Sequence, residues 1–163
     1  MKKVAGFTLV ELLIVIGITA TISVIGIGFY ANQQKSKLLE TTAQEIASYL
    51  RYAQKKSETQ EQGLQWGVHF ENPASGSDFY GLYTGTSYST TTEVKYLPVG
   101  IQFSTPSTGN SINVSFNKLT GFLSGGSYQQ IILINTSSST KNVLVCQKGI
   151  ISYDVNVSLC GGS

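Results

Sequence analysis

The N-terminal part of the chain is a continuous run of apolar and small residues. Over residues 7–30, Glu11 is the one charged side chain. At about 1.5 Å per residue, a helix of this length is long enough to cross the hydrocarbon core of a bilayer. The pattern predicts a membrane segment, and Lys2 and Lys3 before it favour a cytoplasmic N-terminus with the rest of the chain exported.

Residues 32–62 are more polar but keep a helical period. Apolar and small side chains recur three and four residues apart and predict one buried face, while charged residues occupy the remaining surface. No proline interrupts the stretch, and Gly63 suits the position just past a helix end. We therefore expect one nearly continuous helix over about residues 7–62. Its predicted buried face consists of Leu38, Leu39, Thr42, Ile46, Tyr49, Leu50 and Ala53.

After Gly63 the period of the pattern shortens to two. Apolar side chains stand at every second position from Leu64 to Phe70, which predicts a strand with one buried face. His69 is on the other, outward side of this strand, and we interpret it as a plain surface residue.

Several more short strands follow, separated by turns rich in glycine, proline, asparagine and serine. A long helix followed by a series of short antiparallel strands predicts an α+β fold, with the second half of the helix packed against a sheet. The further strand candidates are residues 79–84, 94–97, 100–104, 112–116, 128–135, 142–147 and 150–159.

The acidic residue Glu11 needs an explanation, because a carboxylate inside hydrocarbon costs about 3 kcal/mol even on lenient scales. A secretory signal peptide would have a shorter apolar core and a small-residue cleavage site after it, which this chain lacks. A plain signal anchor fits the length of the segment but leaves Glu11 without a role. We expect a charged group to pair with it.

The residues around Glu11 resemble the prepilin processing motif of type IV pilins and pseudopilins. The resemblance rests on a short basic leader followed by Gly6, Phe7, Thr8, Leu9, Val10, Glu11 and Leu12. It implies that a membrane peptidase and methyltransferase cuts between Gly6 and Phe7 and N-methylates Phe7. It also implies a partner for Glu11, namely the cationic α-amine of Phe7 on a neighbouring subunit.

The same resemblance implies a division of the chain into four parts. These are a leader (residues 1–6), a transmembrane and filament-core helix (7–30), an amphipathic half-helix (31–63) and a β-rich domain (64–163). The order of the later segments is most similar to the H-type minor pseudopilins of type II secretion and to minor pilins. The implied partners are other pilin or pseudopilin subunits and an inner-membrane assembly platform.

Charge and composition indicate which kinds of molecule the protein is expected to bind. The formal net charge is +2, and loss of Lys2 and Lys3 with the leader would leave basic and acidic side chains in equal number. Such a balance predicts no broad field for nucleic acid. Nucleic-acid binding is therefore not expected.

Two cysteines, Cys146 and Cys160, lie near the C-terminus. In an exported domain such a pair predicts a disulfide, worth about 3 kcal/mol in the chain-entropy model. The resemblance implies the same closed C-terminal loop. With His69 as the single histidine and no zinc-type cysteine spacing, we predict neither a metal site nor a cofactor.

Catalytic motifs are not found either. The chain has no nucleophile elbow and no phosphate-binding glycine loop. We interpret Asp78 and Glu93 as solvated loop carboxylates, and we predict that the protein is not an enzyme.

The sequence thus predicts a structural subunit of a type IV pilus or type II secretion pseudopilus, inserted once in the inner membrane before assembly. A second hypothesis is a tip-located minor pilin that binds DNA or surfaces. A surface pilus, a DNA-uptake pilus and a periplasmic pseudopilus all remain open at this point.

Overall fold

The computed structural model describes the backbone of residues 6–154 and 157–160, and side chains over the same ranges apart from residues 24–31, 157 and 159. The chain forms two compact units, Met1–Gln34 and Lys35–Ser163. A single long helix, α1 (Leu9–Glu58), contributes residues to both units.

Helix α1 ends earlier than the pattern predicts. The sequence placed the end near residue 62, but the α-helix stops at Glu58 and a short 3₁₀ helix, Glu61–Gly63, follows. Gln60 and Gln62 adopt left-handed backbone angles, with φ of 50° and 58°. An α-helix cannot continue through such residues, so the polar glutamines form the connection to the first strand.

Within residues 6–154, eight antiparallel strands form two four-stranded sheets. Sheet A has the order β3-β2-β1-β5, and sheet B has the order β4-β6-β7-β8. The strands are β1 (Trp66–Asn72), β2 (Phe79–Thr84), β3 (Glu93–Tyr96), β4 (Ile101–Thr105), β5 (Asn110–Phe116), β6 (Tyr128–Asn135), β7 (Thr140–Cys146) and β8 (Ile151–Tyr153).

The last strand is the one whose predicted extent was wrong. The pattern predicts a strand over residues 150–159, whereas β8 covers Ile151–Tyr153 and a 3₁₀ helix occupies Val157–Cys160. Asp154 has a left-handed φ of 59°, which ends the extended backbone after Tyr153. The other strand candidates are confirmed: residues 79–84 and 128–135 have the predicted ends, and the remaining ends differ by at most two residues.

One face of α1 packs into the core of the second unit. Leu39, Ile46 and Leu50 are fully buried there, as the helical period predicts. Leu38 was wrongly included in this face, because its side chain is 39% exposed. It is adjacent to Leu39 and therefore points about 100° away around the helix axis. The strand residues of the core include Trp66, Val68, Phe70, Val114, Phe116, Ile131, Leu133, Val143 and Val145.

Sheet A is covered on its outer face as well, which contradicts the prediction of one buried face. His69 is only 2% exposed, so its interpretation as a surface residue was wrong. The connection between β2 and β3, residues 85–92, lies against this face, and the Tyr88 ring stacks on the His69 ring at a centroid distance of 3.6 Å. Tyr88, the aromatic residue that covers His69, lies in a loop, and the two-residue period describes only the strands.

Candidate assembly site

The predicted processing motif leads directly into the first turn of α1. The backbone amide of Glu11 donates a hydrogen bond of 3.3 Å to the Thr8 hydroxyl, and the amide of Leu12 donates one of 3.2 Å to the Thr8 carbonyl. Thr8 is therefore the N-cap, and Glu11 stands at the third helical position, the spacing of a capping box. A carboxylate there also lies near the positive end of the helix dipole.

The first unit has a large exposed apolar surface. Phe7 is 81% exposed, and the aliphatic side chains after it are exposed as well. Monomeric soluble proteins rarely expose apolar patches of this extent, so another molecule has to cover the surface. The residues concerned are Phe7, Leu9, Val10, Leu12, Leu13, Ile14, Val15, Ile16, Ile18 and Ile22.

In the part of the chain that the structure describes, no helix is both long enough and apolar enough to cross a bilayer. The leader residues 1–5 and the side chains of residues 24–30, the C-terminal part of the predicted membrane segment, lie outside the described residues.

The hydroxyl groups within this apolar surface have partners in the helix itself. Thr19 donates to the carbonyl of Val15 and Thr21 donates to that of Ile18, both at 2.8 Å. Ser23 donates to the carbonyl of Thr19 at 2.7 Å. Because each hydroxyl is satisfied by the preceding turn, these residues can enter apolar surroundings without an unpaired polar group.

The carboxylate of Glu11 has no such partner among the described residues, where it is exposed and takes part in no ion pair. A cation from another molecule therefore has free access to it. Among the described residues, the ion pairs are Lys55–Glu58, Lys56–Glu61, Lys95–Glu45 and Lys141–Asp154.

Gly6 is not required by the packing of this chain. A Cβ atom built on Gly6 meets no atom within 4 Å, and its backbone has no left-handed φ that would favour glycine.

The C-terminal region is tied down by covalent and polar contacts. Cys146 and Cys160 form a disulfide with a Cα–Cα distance of 5.1 Å, which joins the end of β7 to the last 3₁₀ helix. Gln54 of α1 donates hydrogen bonds of 2.9 Å to the carbonyls of both Gly121 and Gly149. Gly149 has a left-handed φ of 78°, and a Cβ there would come within 2.6 Å of the Gly121 carbonyl oxygen, so glycine is required.

Sequence reasoning missed the role of Asp78, which was wrongly interpreted as a solvated carboxylate. Asp78 is buried, and its Oδ2 atom accepts a hydrogen bond of 2.6 Å from the backbone amide of Phe103. Burial raises the pKa of this carboxyl above its usual range, and the bond from Phe103 opposes the shift in part. The position next to Phe79, the start of a strand, was the only signal for burial in the sequence.

Two comparisons with known proteins found a match, one for the N-terminus and one for the fold. Residues 1–27 match a family model described as the prokaryotic N-terminal methylation motif. Among solved structures, the chain is similar to the crystal structure of the type IV minor pilin FimU of Pseudomonas aeruginosa, strain PAO1. The two share 11% sequence identity, the match covers 74% of this chain and 91% of that one, and the TM-score is 0.53. The predicted pilin-like fold is thereby confirmed.

A comparison with curated proteins finds no match.

Proposed function

We propose that this chain is a structural subunit of a pilus-type filament that is made as a prepilin, cleaved between Gly6 and Phe7 and N-methylated on Phe7. The observation that carries the proposal is the position of the methylation motif. It directly precedes an exposed apolar helix in a chain whose fold is shared with a minor pilin.

The first step of the proposed function takes place in the membrane. The precursor is a single-pass protein of the inner membrane with Lys2 and Lys3 on the cytoplasmic side. The exposed aliphatic side chains of α1 face lipid at this stage. The prepilin peptidase and methyltransferase and the assembly platform are the partners of this form.

Cleavage creates the group that pairs with Glu11. A free α-amine has an ordinary pKa of about 7.7–8.0 and is mostly cationic at neutral pH. When the helix leaves the lipid, the amine on Phe7 of one subunit binds the carboxylate of Glu11 on its neighbour. Two charges that would each be desolvated alone are then buried as one pair, and the apolar side chains pack on neighbouring helices.

A minor subunit at the filament tip is the second candidate, because the similar structure FimU is described as a minor pilin. Capture of DNA has less support, since three of the basic residues of the second unit already have partners within the chain. Lys95 pairs with Glu45, Lys141 pairs with Asp154, and Lys118 donates a hydrogen bond of 2.6 Å to the Gly63 carbonyl. DNA binding requires clustered basic side chains that remain available for phosphates.

Processing is tested by a matched pair of glycine variants expressed with a prepilin peptidase. Gly6→Ala should block cleavage, because it changes the residue at the cleavage site, whereas Gly17→Ala should be cleaved normally. Neither new Cβ meets an atom within 4 Å in this chain, so neither variant should disturb its packing. Mass spectrometry of the N-terminus reads the result. Cleavage of the Gly6→Ala chain at the wild-type rate, or a wild-type chain that begins at Met1, would contradict the proposal.

The place of the subunit is tested by mass spectrometry of sheared extracellular filaments. A dominant chain with N-methylated Phe7 identifies a major pilin, and a processed chain in trace amounts identifies a minor one. A processed chain that stays in the membrane fraction favours a secretion pseudopilus.

A further inference from the structure

The second unit has four sheet edges, and three of them are covered. The edge strands are β3 and β5 in sheet A and β4 and β8 in sheet B. In β4, β5 and β8, another segment already bonds to a backbone group at the open side. These contacts are made by Asp78 and Asn72 to Phe103 of β4, by the Ser124 amide to the Ser115 carbonyl of β5, and by Arg51 to the Ile151 carbonyl of β8.

The edge of β3 is open in the part of the chain that the structure describes. The Leu97 amide donates to the Asp78 carbonyl at 2.9 Å, so the alternation of an antiparallel ladder turns the backbone groups of Lys95 toward β2 as well. Val94 and Tyr96 then direct their amides and carbonyls outward, where no described segment bonds to them. Such a row of unpaired backbone groups is a template for another strand.

The side chains of β3 leave room for an incoming strand. Val94 and Tyr96 share one face of the strand and are 42% and 67% exposed. Proteins commonly protect an edge with a lysine that meets an incoming strand. Lys95 lies on the other face and is turned toward α1, where its Nζ atom contacts Glu45 Oε1 at 3.1 Å. The lysine of β3 therefore does not shield the edge.

Charge complementarity points to a second copy of the same strand. Two antiparallel registers let the outward groups of two β3 strands face each other over three residues of each copy. One register is centred on Lys95 and puts two lysines directly opposite each other, which is unfavourable. The other is centred on Val94 and places Glu93 of each copy opposite Lys95 of the other copy. This second register forms two pairs of opposite charge.

We propose that β3 is an interaction surface for β3 of a second copy of this chain, with the two strands antiparallel and Val94 opposite Val94. Sheet A of one copy then continues into sheet A of the other. The Val94 amide and carbonyl of each copy bond to those of its partner, and Glu93 pairs with Lys95 on either side. Because the ladder is short, the association is weak and is best captured by a cross-link.

The test is disulfide cross-linking of the full-length Val94→Cys chain in detergent, with micelles in excess over protein. Hydrogen-bonded residues of an antiparallel pair have Cα atoms about 5.5 Å apart, which a disulfide can bridge. Cys146 and Cys160 are already joined to each other and do not compete. Mild oxidation should give a covalent dimer on a non-reducing gel, and a folded Val94→Cys chain that stays monomeric would overturn the proposal.

Two matched cysteine variants check the register. Tyr96→Cys lies on the same exposed face of β3, but in the proposed register its Cα atoms are more than about 13 Å apart, beyond the reach of a disulfide. Val99→Cys is at a position that is 98% exposed and lies outside the strand. Both should form the dimer at least about tenfold more slowly than Val94→Cys. Equal rates for the three variants would show random collision and would overturn the proposal.

A charge exchange tests the pairing of Glu93 with Lys95. In the Val94→Cys chain, Glu93→Lys should slow dimer formation about fivefold, because lysines then face each other across the pair. Adding Lys95→Glu should restore the rate, since the partly exposed Lys95–Glu45 pair that it removes is worth little. Glu40→Lys changes the net charge equally and should have little effect.

Two outcomes of this exchange would contradict the pairing, namely no recovery in the double exchange or an equal effect of Glu40→Lys. The experiments use the isolated chain and contacts of the second unit alone. Their result therefore does not depend on processing at Gly6 or on filament formation, and failure of the proposed function would leave them intact.

Discussion

The imidazole ring of His69 lies parallel to the phenol ring of Tyr88, with an interplanar angle of 2° and a centroid distance of 3.6 Å. The ring nitrogens of His69 face Asn113 Oδ1 at 2.6 Å and Glu71 Oε2 at 3.1 Å. His69 therefore connects strands β1 and β5 to the loop of residues 85–92. The stack holds that loop against the outer face of sheet A.

We predict that His69→Ala lowers the free energy of unfolding by about 1–3 kcal/mol, because a buried, hydrogen-bonded side chain is removed. In a double-mutant cycle with Tyr88→Ala, the coupling energy should be about 0.5–1.5 kcal/mol. Chemical denaturation of the four proteins measures both values. As a control, the effects of Tyr128→Ala and His69→Ala on the free energy of unfolding should add, because Tyr128 is a partly exposed tyrosine of sheet B. If the effects of His69→Ala and Tyr88→Ala also add, the stacking role is contradicted.

We predict that the buried Asp78 carboxyl makes the stability of the folded protein depend on pH. Its pKa is raised in the folded state by burial, so the folded state disfavours the charged form. Its contribution to stability is therefore fully present below the ordinary aspartate pKa of about 3.9 and is lost as pH rises through the higher folded value. We expect Asp78→Asn to be more stable than the wild type at pH 7, with a difference that disappears in acid.

Denaturation curves between acidic and neutral pH check this prediction. Asp154→Asn is the control, because Asp154 is an exposed partner of Lys141 and its loss should not stabilise the fold at pH 7. A neutral-pH stability of Asp78→Asn below that of the wild type would show that the charged hydrogen bond to Phe103 outweighs the cost of burial.

We predict that ionisation of Tyr49 lowers the stability of the folded protein in alkali. Burial and the nearby Glu93 carboxylate raise the pKa of Tyr49 to about 12 from the ordinary value of 10.0. The contribution of this group is fully present below pH 10 and is lost as pH rises through about 12. Tyr49→Phe should reduce the alkaline loss of stability, whereas the partly exposed Tyr128→Phe should not. Unfolding curves and tyrosinate absorbance between these two pH values measure the effect.

Under the proposed function, we predict that Glu11 is needed for assembly but not for membrane insertion. Glu11→Ala should insert normally, because an apolar side chain replaces a charged one, but the mutant chain should be lost from sheared filaments. Glu40→Ala, at an exposed position of the same helix, should assemble normally. Membrane fractionation and immunoblots of filaments give the two readouts, and wild-type amounts of Glu11→Ala in filaments would exclude pairing with the Phe7 amine.

Patterns along the chain predicted most of the regular structure. The helical period of residues such as Leu39, Ile46 and Leu50 identified the buried face of α1, and alternation located the strands. The motif from Gly6 to Glu11 was equally clear, because its chemistry depends on a few adjacent residues. Local patterns succeed in these cases since the period reflects which side chains share one face.

Other features were not predictable in this way. These are the division of the eight strands into two sheets and the burial of His69 and Asp78. Strand alternation describes one strand and its two faces, but it contains no information about a loop that returns to cover the outer face. Residues 85–92 cover His69, and β4 brings the amide of Phe103 to Asp78 from 25 residues away in the chain. The sequence therefore determines the helix and the strands through local periodicity, and it contains the methylation motif in its first residues. The environment of each polar side chain arises from contacts between distant segments, which form only when the chain has folded.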